Sequence, residues 1–270
     1  MEIEKSSAVL KETTQIESRT LTRDVQVDFY LPAPVSRPEE ISLLLINDGQ
    51  DMESLGLLSM LNDMYEKDEI SPVLCVGIHA GADRKQEYGT SCRPDYKGRG
   101  ARAGQYSRFV MEELIPYLQE EYYLPVFREK AFAGFSLGGL SALDMVWSHP
   151  KEFSKAGVFS GSLWWRSRDK NDPNYQDATD RIMHQLIRQG GYYPWLKFYF
   201  ECGILDEKAD RNGNGVIDSI DDTLDLIAEL VARGYDPIKD IHYLQLEDGR
   251  HDVPTWGRAM PDFLRWGWGK

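Results

Sequence analysis

The chain has 270 residues, 41% of them hydrophobic, and a formal net charge of -13. That length allows one large core, and the negative balance argues against a nucleic-acid partner, since the only basic stretch, residues 93–102, is diluted with Gly and Asp. No run approaches the roughly 20 apolar residues needed to cross a bilayer, and residues 1–15 carry acids where an export signal needs a basic start and an apolar centre, so neither a membrane nor a secretory route is expected.

Residues 8–17 and 24–31 alternate apolar and polar side chains and predict two antiparallel strands. The runs 41–46 and 72–78 are continuously apolar, as buried parallel strands are, and residues 53–65 between them repeat Leu and Met at helical spacing. The rhythm continues with helices over 105–122, 136–149, 177–188, 221–233 and 256–266, and strands over 130–135, 154–159, 196–202 and 241–246. Such βαβ alternation predicts a single α/β domain over residues 1–270, with a mostly parallel central sheet, antiparallel N-terminal strands and helices on both faces. Ligands are then expected beyond the carboxyl ends of the strands. Cys75, Cys92 and Cys202 are odd in number, widely spaced and without a CxxC pair, which predicts reduced thiols and a cytoplasmic location.

Gly134-Phe135-Ser136-Leu137-Gly138 matches G-x-S-x-G between an apolar strand and a helix, the setting of a nucleophile elbow. A serine hydroxyl needs a base, and the base needs an orienting acid. Of the five histidines, His251 alone falls in a turn-rich loop after the last strand; His149, His184 and His242 fall in predicted helices or a strand, and His79 ends a strand. Asp206, after the strand 196–202, is the expected acid, with Glu207 as its rival; the order Ser, Asp, His is the one this fold produces. The oxyanion would be held by the N–H groups of Leu137 and Gln50, the latter in the Gly49-containing turn after the strand 41–46.

Four stretches, AGFSLGGLSAL (133–143), HPKEFSKAGVFSGSLWW (149–165), ECGILDE (201–207) and EDGRHDVPTW (247–256), resemble the esterase family of the α/β-hydrolase superfamily. That group holds enterochelin, feruloyl and acetyl-xylan esterases, S-formylglutathione hydrolases and mycolyltransferases. The pairing of SGSLWW with GxHD and a following Trp most resembles enterochelin esterase catalytic domains. The resemblance covers the chain from about Asp24 onward and places Ser136, Asp206 and His251 on the family's triad positions. It implies a serine esterase working through an acyl-enzyme on a small-molecule or saccharide ester, with no cofactor for catalysis; an acyltransferase on the same triad, or a non-catalytic ligand-binding protein of this fold, is the alternative. The chain departs from siderophore esterases in showing no separate N-terminal domain and no obvious cationic cluster around the site. Trp164 and Trp165 are expected to pack against an aromatic acyl group or a sugar ring, unless they belong to the core. Arg84, Glu87 and Tyr88 fall in a loop that borders the cleft in relatives, with Arg84 and Glu87 spaced to pair with each other.

One further motif lies outside the triad. Asp210, Asn212, Asn214, Val216, Asp218 and Asp221 occupy positions 1, 3, 5, 7, 9 and 12 of an EF-hand-like loop with Gly215 at 6. This predicts a structural Ca2+ beside the segment carrying Asp206, with Asp in place of the usual Glu at the last position.

Overall fold

The computed structural model describes residues 8–33, 37–124 and 126–270; part of the segment read above against export, residues 1–7, lies outside them. The strands are β1 (Val9–Ser18), β2 (Arg23–Pro32), β3 (Ser42–Asn47), β4 (Val73–Ile78), β5 (Lys130–Phe135), β6 (Lys155–Phe159), β7 (Lys197–Leu205) and β8 (Ile241–Arg250). They form one eight-stranded sheet in the order β1-β2-β4-β3-β5-β6-β7-β8. β1 pairs antiparallel with β2 and β2 with β4, while β3 to β8 run parallel, as the alternation predicts.

The continuous apolar runs are explained by cover on both faces. Alternate residues of one strand enter opposite cores: Leu43, Leu45 and Phe132 join one, Leu44, Ile46, Ala131 and Ala133 the other. The second core is closed by α1 (Met52–Leu55), α2 (Leu57–Glu66) and α10 (Val253–Trp268). The first is closed by α4 (Ala103–Arg108), α5 (Ile115–Glu121), α6 (Leu137–Ser148), α8 (Ile182–Gln189) and α9 (Asp218–Arg233). Two short turns, α3 (Arg84–Glu87) and α7 (Asp177–Asp180), sit in loops. Because β4 lies on one side of β3 and β5 on the other, the strand order reverses between β3 and β5, and a crevice opens above their carboxyl ends.

Three predicted elements are drawn differently. The helix over 105–122 is interrupted by a π turn at Phe109–Leu114, next to Pro116, whose ring removes a backbone donor. The helix over 177–188 breaks at Arg181, whose backbone is extended (φ -74°, ψ 110°) and bridges to Arg166. The last strand runs on through the residues read as a loop: Arg250 pairs with Leu205 past an irregularity at Gly203, so His251 follows the strand directly. Among the described residues no helix is long and apolar enough to cross a membrane.

Candidate active site

β5 ends at Phe135 and α6 begins at Leu137, so Ser136 alone carries the reversal, with φ 53° and ψ -120°. This region costs a non-glycine residue about 1–3 kcal/mol and persists only where neighbours over-determine it. They do so here. The Ser136 N–H donates to the Phe159 carbonyl (2.9 Å), and its carbonyl accepts from the N–H groups of Gly139 (3.1 Å) and Ser162 (2.9 Å). The turn is so tight that a Cβ on Gly134 would stand 2.3 Å from the Gly138 oxygen, which is why glycine is needed there.

Ser136, Ser160, Ser162, Trp164, Asp206, Glu207 and His251 line one cavity of about 250 Å³. The Ser136 hydroxyl lies 3.4 Å from that of Ser162 and, among the described residues, is not hydrogen-bonded to His251. Hydrogen bonds of this kind are often loose before substrate binds. Asp206 and His251 are carried by β7 and β8, which approach closely where a Cβ on Gly203 would meet the Gly249 backbone at 2.4 Å. Burial raises the Asp206 pKa, opposed by the Ser160 hydroxyl and by His251. Burial lowers that of His251, opposed by Asp206 and Asp252. The imidazole is thereby biased towards its neutral form beside a carboxyl group, the state a general base requires. Its ring stands edge-on to Trp256 (5.3 Å, 81°), whose indole N–H donates to the Ser160 hydroxyl at 3.0 Å.

The other histidines are engaged elsewhere. His79 meets Asp28 (3.1 Å), His149 the Ser107 hydroxyl (2.9 Å), His184 the Asp222 carbonyl (2.8 Å) and His242 Asp262 (2.9 Å). Leu137 opens α6, where the first N–H groups of a helix have no intrahelical acceptor. Gln50 lies in the turn Gly49–Asp51, its exposed side chain spanning Asp48 and the Ala80 N–H.

Four expectations need correction. Trp165 is fully buried and packs in the core against Gly89 and Gly100, so only Trp164 faces the cavity. Arg84 and Glu87 do not pair with each other: Arg84 holds Asp48 with two hydrogen bonds (2.6 and 2.7 Å), and Glu87 holds Arg23 (2.6 and 3.0 Å). Of the predicted loop 248–252, residues 248–250 are strand, as described. Lastly, there is a cationic cluster. A second cavity of about 280 Å³ shares Trp164 and Glu207 with the first and is lined by Lys97, Arg99, Arg166 and Lys170. Arg99 lies over the Trp164 ring at 4.9 Å and pairs with Asp95. Among the described residues Lys97, Arg166 and Lys170 make no ion pair within 4 Å, with Glu207 and Asp218 lining the same cavity and Asp169 acting on Lys97 and Arg166; the Arg166 Nε is buried without a hydrogen bond. Lys97 and Arg99 lie within the basic stretch at 93–102, but Arg166 and Lys170 come from far along the chain, so the cluster was not legible as one.

The loop read for calcium is closed by its own donors. Asp210 accepts from the N–H groups of Gly213, Asn214 and Gly215 (2.7, 3.2 and 3.0 Å), and Asp221 accepts from the Asn212 and Asn214 amides, both at 2.9 Å. Asp218 faces Arg211, accepting from its N–H at 2.7 Å, and Val216 donates its N–H to Asn214 at 2.8 Å. Among the described residues no three His, Cys, Asp or Glu side chains converge as a metal cluster, so a cation here would lean on the Asn and carbonyl oxygens.

A strained serine at a switch-point elbow, in one cavity with an acid and a histidine from the ends of β7 and β8, places the molecule in the class of α/β ester hydrolases. The family described as "Putative esterase" matches residues 18–266, and the chain belongs to that family. It is 26% identical over 205 residues to the uncharacterized protein YjcH of Bacillus subtilis, covering 74% of this chain and 75% of that one. It is 24% identical over 224 residues to the iron(III) enterobactin esterase of Escherichia coli, covering 81% of this chain and 47% of that one. The enterobactin esterase of Shigella flexneri, solved in the presence of 2,3-di-hydroxy-N-benzoyl-glycine, superposes with a TM-score of 0.71 at 20% identity, over 96% of this chain and 59% of that one. The chain thus spans about half the length of the enterobactin esterases it matches.

Proposed function

We propose that the protein hydrolyses small carboxylic esters through an acyl-enzyme on Ser136. The observation that carries this reading is the strained Ser136 sharing one cavity with His251 and Asp206. His251, neutral, takes the Ser136 proton as the hydroxyl attacks the ester carbonyl and returns it to the leaving alcohol; water then repeats the sequence on the acyl-enzyme. Asp206 is favoured over Glu207 as the orienting acid because its carboxylate lies beside Gly203, against the Gly249 backbone that leads into His251, and its charge, unlike that of Glu207, acts on His251. The N–H groups of Leu137 and Gln50 would receive the oxyanion. Trp164 supports an aromatic or sugar ring, and Lys97, Arg166 and Lys170 favour a substrate whose far end carries an anionic group. The enterobactin esterases among the relatives support a small-molecule ester as substrate class. Three free thiols, two of them in buried strands, support a reducing, cytoplasmic setting. We infer also that the loop from Asp210 to Asp221 takes Ca2+ in a structural role, on its EF-hand spacing.

The test is release of p-nitrophenol from p-nitrophenyl acetate and from mono-p-nitrophenyl succinate. Wild type should turn over both, favouring the succinate; Ser136→Ala should turn over neither, and Arg166→Ala should raise KM for the succinate selectively. A folded wild type inert toward every ester offered would refute the hydrolase reading, and an Arg166→Ala effect equal on both esters would refute the anionic end.

A further inference from the structure

Behind the cavity lies a carboxyl group that the chemistry above does not use. Glu201 is a β7 residue paired in register with Phe159 of β6, and it is 1% exposed. No Lys or Arg pairs with it among the described residues, and its Oε1 is buried without a hydrogen-bond partner. Its Oε2 lies 3.4 Å from the Ser160 hydroxyl, and its backbone carbonyl accepts the Ser160 N–H at 2.8 Å. Ser160 itself is held at φ 44°, a backbone region that a serine leaves unless its surroundings enforce it.

The hydrogens around Ser160 Oγ can be counted. Trp256 Nε1 donates to it, filling one lone pair. The hydroxyl has a single hydrogen, yet two carboxyl groups lie around it: Glu201 Oε2 stands 3.4 Å away, and Asp206 lines the same cavity as Ser160. The two Asp206 oxygens are buried and complete no hydrogen bond among the described residues. Were both groups ionised, two buried anions would compete for one donor, an arrangement that burial penalises heavily. With a proton on Glu201 the count closes. Its O–H fills the second lone pair of Ser160 Oγ, and the Ser160 hydrogen is free for Asp206.

We propose that Glu201 is a positioning residue for the esterase reaction: a neutral carboxylic acid that donates to Ser160 and so directs the Ser160 hydroxyl to Asp206, fixing the acid that orients His251. The proposal rests on Asp206 being the triad acid. The groups facing Glu201 agree with a neutral state. Burial, and next the charge of Asp206, push its pKa up to about 8; Arg258 of α10, exposed and paired with Asp248 (2.8 and 3.1 Å), opposes this weakly. Tyr199 and Cys202 on β7 and Tyr243 on β8 are held well above neutrality by burial and bring no positive charge.

The experiment compares wild type, Glu201→Gln and Glu201→Ala for kcat/KM on p-nitrophenyl acetate across neutral and alkaline pH, with urea stability over the same range. Wild type should lose activity as Glu201 ionises near its raised pKa. Glu201→Gln, a permanent N–H donor, should keep its neutral-pH activity and lose that alkaline limb, while Glu201→Ala should fall by about tenfold or more at every pH, roughly the worth of one hydrogen bond to a charged group. A proton held in the fold but released on unfolding makes wild-type stability decline as pH rises from about 4.5 towards about 8; Glu201→Gln should lack that slope. An alkaline limb unchanged in Glu201→Gln, or identical stability slopes in the two proteins, overturns the proposal. A wild type inert toward esters overturns the triad reading and with it the positioning role; the stability slopes still show whether Glu201 holds its proton.

Discussion

Ser136 can be separated into its side chain and its backbone. Its φ of 53° and ψ of -120° place it where a residue with a Cβ is strained by about 1–3 kcal/mol. Ser136→Ala keeps the Cβ and the strain; Ser136→Gly removes both at the expense of about 0.5–1 kcal/mol of extra chain entropy in the unfolded state. The lost hydroxyl is common to both variants, and its only hydrogen-bond partner among the described residues is Ser162 at 3.4 Å. Glycine should therefore exceed alanine in stability by about 1 kcal/mol, or roughly 2–4 °C in Tm for a chain of this size. The assay is equilibrium urea unfolding, read as a shift in midpoint at constant slope. Both variants should be inactive. A Ser136→Gly protein no more stable than Ser136→Ala would refute the claim that the elbow stores strain, and with it the argument that this serine is held in place for chemistry.

Two other expectations concern residues away from Ser136. His184 is buried, and burial, reinforced by the nearby Arg181 charge, lowers its pKa to about 3. Below about pH 6.5 the unfolded chain gains a proton there that the native state refuses, so stability should fall on acidification by at most about 1.4 kcal/mol per pH unit down to about pH 3. His184→Gln should flatten this dependence in urea titrations at successive pH values; an unaltered slope would show that the native ring accepts the proton. For the loop from Asp210 to Asp221, millimolar CaCl2 should raise the wild-type Tm, by as much as about 2.7 kcal/mol of stabilisation at a hundredfold excess over Kd. Asp210→Ala should not respond, and a wild type that ignores both calcium and chelator leaves a turn closed by its own hydrogen bonds.

What could be read in advance follows from how far each interaction reaches along the chain. Ser136 was legible because its constraint is local: the glycines at 134 and 138 answer a turn only a few residues long. The parallel strands were legible because burial on both faces leaves no exposed position in β3 or β4 and fills their centres with apolar residues. Arg181 was not, because a helical pattern cannot show that its guanidinium must reach Asp222 and Asp225 on α9 (2.8 and 2.7 Å). Trp164 and Trp165 are adjacent in sequence, and only the packing of Gly89 and Gly100 decides which ring turns inward. Glu201 lay as a charged letter in an otherwise apolar stretch of strand, and the Ser160 hydroxyl beside it comes from the end of another strand.

The close contact of Gly203 with Gly249 has a mechanical side. It rivets β7 and β8 just ahead of Asp206 on the one and His251 on the other, so these two side chains ride as one carriage, whereas Ser136 rides on β5 with β6 between them. Sliding of β6 against β7 would carry the His251 imidazole past Ser136 without parting it from Asp206. On the proposed triad, alignment of the Ser136 oxygen is in that sense a property of sheet shear, and heat or pressure that loosens this one strand pair should disable turnover while leaving Asp206 and His251 together.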